Sequence, residues 1–351
     1  MRHPHGILRT VALAAGAVLM AHLPAARGLD IQLTFSSNDT WPQAAKDAAE
    51  RAAADWEFYL TDAITVPVLL DFDDLGSAGV IAAAVPFPES FSFATVRNAM
   101  VRDAANEGGD DTIVKSLSSV ASNQFVLPAG LSTSGSMVTT RAHAKALGLP
   151  VTLPSHAALD PIALNSNPSF IGFDFDGSQP TKVDFESVVR HELGHILGFL
   201  SAVDSAKNAT APATISPRPL DLFRFNPSAN PKTVTQFTTF KRSLEPGVAG
   251  RFNDLMSNWE MSDAELYGGS HWADGGTGSP IGLMDPTLAV GEVSQILRPD
   301  LRALDLIGYE VVTLLRLRGV LTAGRIPEPG SLTLLALGGC VLAAAGRVRR
   351  G

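Results

Sequence analysis

The chain has 351 residues, enough for one large domain or two smaller lobes. Hydrophobic residues make up 45% of it and charged residues 18%, a balance that favours a packed core and argues against intrinsic disorder. The formal net charge is −8 and basic residues cluster only at the two ends, so we expect no nucleic-acid partner. Because Cys340 is the one cysteine, a zinc site elsewhere must be built from His, Asp or Glu.

The first 28 residues have the pattern of a secretory signal peptide. Arg2 and Arg9 precede an apolar run over 11–23, and small residues follow at Ala26 and Gly28. This pattern predicts export, with removal of residues 1–28; a cut after Ala26 is a second option. An uncleaved anchor helix is the alternative, although the apolar run is short for a membrane span.

Residues 319–351 are predicted to form a linker and a sorting tail. Pro327-Glu328-Pro329 precedes an apolar stretch over 331–346, and the chain ends on a basic cluster formed by Arg347, Arg349 and Arg350. This order resembles the PEP-CTERM sorting signal of bacteria. The resemblance implies processing by an exosortase, transient membrane association through the tail, and a final location in the periplasm, at the cell surface or outside the cell. A permanent membrane anchor is the other interpretation.

The middle of the chain alternates between strand and helix patterns. Alternating apolar runs and turn residues predict strands over 31–35, 64–72, 80–85, 161–165, 170–175 and 309–314. Helical spacing of apolar residues predicts helices over 43–60, 141–147, 185–197 and 299–307. This order predicts an α+β fold. We expect a mixed twisted sheet and the 185–197 helix in an N-terminal lobe (29–200), an irregular, partly helical C-terminal lobe (201–318), and a cleft between them.

The predicted 185–197 helix carries an H-E-x-x-H pattern, with Asp184 suited to cap it and Gly198 to end it. Residues four apart lie on one helical face, so His191 and His195 can bind one tetrahedral Zn²⁺. Glu192 points to the side of this pair, where it can take a proton from water activated by the metal. The pattern predicts a zinc-dependent hydrolase; the alternative is a helix whose surface merely carries these polar side chains.

A catalytic zinc site usually has three protein ligands and one open position. In the compact pattern H-E-x-x-H-x-x-G-x-x-H the third histidine is the eleventh residue, but here that residue is Ser201, a poor ligand. Asp204, Asp221 and the remote His271 remain as candidates. His271 is favoured, and Asp204 is expected instead to orient a ligand, a role that carboxylates often have.

Three short blocks resemble the leishmanolysin-type metzincins: His191–Phe199, Ser270–Trp272 and Leu283–Pro286. The resemblance implies that His271 is the third zinc ligand after a long insertion, that Met284 forms a Met-turn beneath the metal, and that residues 29–318 are a metzincin-like metallopeptidase domain. The chain departs from that family because it has no cysteine framework and no cysteine for a propeptide switch. With both sorting signals, it is similar to the predicted metalloproteases of the bacterial PEP-CTERM group.

These features predict an exported zinc-dependent endopeptidase that acts on a protein or peptide substrate. We expect the substrate to pair with an edge strand such as 161–165. One alternative is an exported matrix or adhesion protein that keeps zinc without turnover, and another is hydrolysis of a non-peptide amide such as a cell-wall cross-link.

Of five further residues, three have two interpretations each and two have no expected role at a site. Asp174 and Asp176 can hold a structural Ca²⁺ or form a solvated turn. Tyr309 can polarise a carbonyl or simply pack in the core. His143 and His156 have no partner at metal-binding spacing, so we expect both at the surface.

Overall fold

The computed structural model describes residues 28–106, 112–151, 159–276 and 278–312. The body of the predicted signal peptide (1–27) and the predicted linker and sorting tail lie outside these residues, and so does His156. Within the described ranges, no helix combines the length and the apolar character that a membrane crossing requires.

The described residues form eight α-helices and fifteen β-strands. The helices are α1 Gln43–Tyr59, α2 Phe93–Asn106, α3 Thr112–Ser116, α4 Arg141–Ala146, α5 Phe185–Ile196, α6 Val203–Asn208, α7 Val234–Thr239 and α8 Arg298–Ile307. The strands are β1 Asp30–Phe35, β2 Thr65–Asp73, β3 Ala82–Ala84, β4 Pro88–Ser92, β5 Phe125–Val126, β6 Leu131–Thr133, β7 Ser136–Thr140, β8 Asp160–Asn165, β9 Phe173–Asp174, β10 Val183–Asp184, β11 Ala213–Ile215, β12 Arg224–Phe225, β13 Arg242–Ser243, β14 Arg251–Asn253 and β15 Asn258–Glu260.

The predicted α+β class is confirmed, and the longer elements lie where their sequence patterns placed them. The four predicted helices correspond to α1, α4, α5 and α8, and the first five predicted strands to β1, β2, β3, β8 and β9. The last predicted strand is reduced, in the described residues, to an isolated bridge between Leu60 and Val311. Helices α2, α3, α6 and α7 and the other ten strands were not predicted.

A four-stranded sheet in the order β1-β2-β8-β3 forms the centre of the N-terminal half. β1, β2 and β8 run parallel, and β3 pairs antiparallel with the far side of β8. Val66, Val68 and Leu70 alternate into the core, as a half-buried strand requires. The prediction that 161–165 is an edge strand is therefore wrong. β8 is enclosed by β2 and β3, and β3 forms the edge.

Helix α1 packs against α5 through a face built largely of alanine. Its buried residues are five alanines together with Trp56 and Tyr59. Small side chains allow two helices to approach closely, and the Trp56 indole then bridges them by donating to the carbonyl of Arg190 at 2.9 Å. Helix α5 is in turn packed beside β3. The helix with the H-E-x-x-H pattern is thus fixed next to the edge of the sheet.

A second sheet joins a segment that precedes α5 in the sequence to segments that follow it. Its strand order is β15-β14-β12-β13-β5, and β5 pairs parallel with β13. β6 likewise pairs parallel with β11. Two ladders therefore connect the predicted N-terminal lobe (29–200) to the predicted C-terminal lobe (201–318). The cavity beside α5 is lined by residues from both.

His143 lies wholly inside the protein, so its predicted surface position is wrong. Its Nε2 donates to the carbonyl oxygen of Ile307 at 2.7 Å, and its ring stacks on Tyr309 with centroids 5.9 Å apart. Its Cβ also packs where Gly198 ends α5 with a φ of +112°, and a Cβ on that glycine would lie 3.2 Å from it. His143 thereby joins α4 to the ends of α5 and α8. Tyr309 is also fully buried, which supports the packed interpretation of this residue.

Burial makes the fold sensitive to acid at His143. Desolvation lowers the pKa of His143 to about 4, against about 6.5 in an unfolded chain. The folded state favours the neutral ring. The free energy of unfolding is therefore unaffected by His143 above pH 6.5, and it falls by about 3 kcal/mol at most as the pH drops toward 4. His143→Gln keeps an N–H donor for Ile307 but does not titrate. We expect the free energy of unfolding in urea to fall faster with acidity in the wild-type chain than in this variant; parallel profiles would contradict the assignment.

Candidate metal centre

Helix α5 begins at a local cap, and it is buried along much of its length. The Asp184 carboxylate caps it by accepting from Ser187 N at 2.8 Å and from Ser187 Oγ at 2.5 Å. Its apolar residues recur at helical spacing and are buried, namely Phe185, Val188, Val189, Leu193 and Ile196. His195 and Glu192 are 8% and 6% exposed, so they do not decorate a solvated surface. The polar motif is built into the interior.

Three histidines meet at this point. Nitrogen atoms of His191, His195 and His271 all lie within 4.8 Å of one another. His195 and His271 are 76 residues apart in the chain, yet their Nε2 atoms are 3.3 Å apart. The third histidine comes from the loop after β15, where Trp272 forms a bridge with Met261. The described residues therefore contain a three-histidine group that can hold a metal ion.

Backbone carbonyls fix the tautomer of each ring. Nδ1 of His191 bonds to Leu283 O at 2.8 Å, Nδ1 of His195 to Phe199 O at 2.9 Å, and Nδ1 of His271 to Gly268 O at 2.9 Å. A carbonyl oxygen only accepts, so each Nδ1 carries the proton and each Nε2 presents a lone pair. Two lone pairs do not hydrogen-bond. Their 3.3 Å spacing instead matches the edge of a tetrahedron with 2.0–2.1 Å ligand bonds, about 3.3–3.4 Å.

The surroundings keep the three rings neutral. Burial, with a smaller effect of the neighbouring His271, lowers the pKa of His191 to about 3. The pKa of His195 falls well below its usual value for the same reasons, and burial also lowers that of His271. A histidine that binds a metal must be a neutral imidazole with one nitrogen free of a proton. The donor set therefore suits a metal cation.

Glu192 faces the same cavity, of about 220 Å³, as His191 and His271. Burial raises the pKa of its carboxyl group to about 8, and a hydrogen bond from the backbone N–H of Ala84 opposes that rise. Ala84 belongs to the edge strand β3. The carboxylate is thus placed between the histidine group and the sheet edge, in a position open to a bound molecule.

Met284 lies beneath the helical turn that separates the first two histidines. It is fully buried, and a Cβ added to Gly194 would overlap its Sδ atom. The residue before it, Leu283, supplies the carbonyl that orients His191. This packing is compatible with the Met-turn that the family resemblance implies for Met284, which stays a prediction.

The two aspartates considered as third ligands have other partners. Both carboxylate oxygens of Asp204 accept from Gly269 N, at 2.9 and 2.8 Å, so Asp204 holds the loop that carries His271. Asp221 is fully buried and accepts from the Ser201 hydroxyl at 2.6 Å and from the backbone N–H groups of Ala202 and Arg218. Within the described residues, neither belongs to the metal-binding group.

The turn considered for calcium is closed by its own backbone. Asp174 Oδ1 accepts from the N–H groups of Asp176 and Gly177, and its Oδ2 accepts from Gln179 N at 2.9 Å. Amide donors therefore occupy oxygens that a cation would need. Among the described residues, no group of three ligating side chains forms at this turn.

Two residues of the site were missed in the sequence. Tyr267 lines the cavity, whereas the other two tyrosines, Tyr59 and Tyr309, are buried. Asp300 bonds to Trp272 and to the segment around Met284. An Asp in the first turn of a helix reads in a sequence as an ordinary cap, and an isolated Tyr in a loop carries no pattern.

Comparison of this chain with protein-family models, curated proteins and solved structures finds no match in any of the three. The interpretation of the site therefore depends on its own geometry.

Gly194→Ala tests the close packing under the centre. The added methyl group would overlap Met284 Sδ and lie 3.4 Å from Trp56. Alanine favours a helix over glycine by about 1 kcal/mol, but overpacking costs about 1–3 kcal/mol, so we expect a net loss of stability. The displaced turn should also weaken metal binding, measured by competition with a chromogenic chelator. The matched control is Gly135→Ala, where no heavy atom lies within 4 Å. Equal behaviour of the two variants would contradict the packing argument.

Proposed function

We propose that the protein is a zinc-dependent endopeptidase. His191, His195 and His271 hold the metal, and Glu192 is the general base. The observation that carries the proposal is the convergence of three neutral imidazoles beside a buried carboxyl group, in a cavity open to solvent.

The donor set favours zinc over other cations. The described residues supply three neutral imidazoles at tetrahedral spacing and no thiolate. Three such protein ligands are typical of catalytic zinc sites. A bound Zn²⁺ supplies Lewis acidity, which polarises a carbonyl group and lowers the pKa of water to about 7. Three ligands leave a coordination position for a reactant. A non-catalytic zinc module usually has a fourth protein ligand.

Glu192 has the properties of a proton carrier for amide hydrolysis. Its pKa is raised to about 8, near neutrality, where a carboxyl group both accepts and donates protons efficiently. The N–H of Ala84 orients the carboxylate toward the cavity that His191 and His271 share. Glu192 can therefore take a proton from the attacking water and return it to the leaving amine.

The edge strand favours an extended peptide as the substrate. Ile81 and Val85 bond to β8, through Asn165 N to Ile81 O and Val85 N to Pro161 O, both at 3.0 Å. Because backbone groups alternate in an antiparallel ladder, those of Ala82 point away from β8. Ala82 lines the cavity, so a polypeptide can pair with it there as an added strand. A cell-wall amide lacks such a regular backbone.

The proposal extends to fold family and location. The Met284 floor, the α5 motif and the remote His271 support a metzincin-like arrangement with a Met-turn. The N-terminal signal pattern and the PEP-CTERM-like tail support export and exosortase-dependent sorting, with transient attachment of the tail to the membrane.

Glu192→Ala separates chemistry from metal binding. Without the proton carrier, hydrolysis should fall by about 10²–10⁴-fold while bound zinc is retained. His195→Ala should lose both, whereas His143→Gln, a control at a buried histidine outside the group, should keep its zinc. Casein zymography with and without chelator and metal analysis measure the two properties. Full activity in Glu192→Ala would refute the mechanism, and a wild-type chain that holds zinc but cleaves nothing would favour the matrix or adhesion protein.

Ala82→Pro tests pairing of the substrate with the edge strand. Proline removes an N–H that faces the cavity and leaves the β8 ladder intact, a substitution that edge strands tolerate. Loss of one hydrogen bond, about 0.5–1.5 kcal/mol, should lower kcat/KM for long peptides by about 2- to 10-fold. Ala82→Ser, which keeps the N–H, is the control. Proline and serine variants of equal activity would show that the substrate does not pair at Ala82.

A further inference from the structure

Asp300, in the first turn of α8, has a fully buried carboxylate with four neutral donors. Its Oδ2 accepts from Leu283 N at 2.7 Å and from Leu297 N at 2.8 Å. Its Oδ1 accepts from Trp272 Nε1 at 2.8 Å and from Met284 N at 3.2 Å. Only Leu297 belongs to the start of α8. The other three donors come from the two segments that form the metal centre, so helix capping alone does not account for this arrangement.

These donors lead directly to two of the three histidines. The carbonyl of Leu283 accepts from His191 Nδ1, so the amide bound to Asp300 lies in the residue that orients this ring. Trp272 follows His271 in the chain, and the backbone N–H of Trp272 donates to Met284 O at 2.9 Å. One carboxylate thus sets the distance between the loop that carries His271 and the segment beneath His191.

The chemistry requires a carboxylate at this position. Two oxygens provide about four acceptor sites, and all four donors are used. An asparagine would replace one oxygen by an NH₂ group, which would face two donors. The backbone approaches so closely that a Cβ on Gly282 would overlap the carboxylate. Burying a carboxylate costs free energy, which in the described part of the chain is offset by hydrogen bonds from these four neutral donors.

We propose that Asp300 is a positioning residue of the metal centre, which sets the spacing of His191 and His271 through Leu283 and Trp272. This inference deepens the proposed function and rests on the metal site of that proposal. Asp300 touches neither the cavity nor the metal-binding nitrogens; it acts through the backbone and the indole that it holds.

Asp300→Asn in the full chain tests this role by metal binding, without any assay of hydrolysis. We expect Zn²⁺ affinity, measured by competition with a chromogenic chelator, to fall by about 10- to 100-fold, as for other partners that orient metal ligands. The visible absorption bands of the Co²⁺-loaded protein should shift, because the ligand geometry changes. The matched control is Asp174→Asn, at a buried carboxylate that accepts from the backbone N–H groups of Asp176, Gly177 and Gln179 and lies outside the centre. That variant should keep wild-type affinity even if it unfolds more easily.

Trp272→Phe provides a second measurement, which decides the matter if Asp300→Asn does not fold. It removes one donor to Asp300 and keeps an aromatic ring between Phe199 and Phe252. We expect zinc affinity about 2- to 10-fold lower, the effect of one hydrogen bond. Wild-type affinity and Co²⁺ bands in every folded variant of Asp300 and Trp272 would overturn the inference. A wild-type chain that binds zinc but cleaves no peptide would contradict the proposed function alone.

Discussion

Each histidine of the candidate centre donates a hydrogen bond from its Nδ1–H to a backbone carbonyl, and the rest of the site depends on these three bonds. With Nδ1 protonated, each ring must present a lone pair at Nε2. Burial disfavours a second proton on Nε2, because the charged imidazolium would lose its hydration. The backbone thus determines the chemical form of the ligands before any metal arrives. The three acceptors, Leu283, Phe199 and Gly268, belong to three separate segments, so only the completed fold can supply them together.

The sequence determines the local part of this site well. Asp184 and Gly198 mark the ends of α5, and the spacing of His191 and His195 follows from helical geometry alone. The long elements α1 and β2 are likewise predicted by period, because enough residues repeat the pattern. The α+β class follows from their order. His271 required a resemblance to known motifs, since nothing in its local sequence indicates which loop returns to the helix.

What the sequence does not determine depends on contacts between distant residues. Strands of two or three residues, such as β12 and β13, are too short to show any period. The sequence analysis assigned the wrong strand to the sheet edge, because the pairing of β3 with β8 depends on tertiary contacts that the local sequence does not show. His143 looked like a surface residue because its partner, the carbonyl of Ile307, lies 164 positions away. Asp300 has the same difficulty: three of its four donors are remote or belong to another segment.

The parallel pairing of β5 with β13 and of β6 with β11 has a consequence for how this chain can be divided. A cut after α5 would separate β5 from β13 and β6 from β11. The unpaired strand edges that it exposes would promote aggregation. The halves are therefore interlocked rather than modular. Such long-range ladders also form late in folding, because closing large loops is entropically costly. A cut after α5 would also place His191 and His195 on one fragment and His271 on the other, so neither fragment alone could form the three-histidine group.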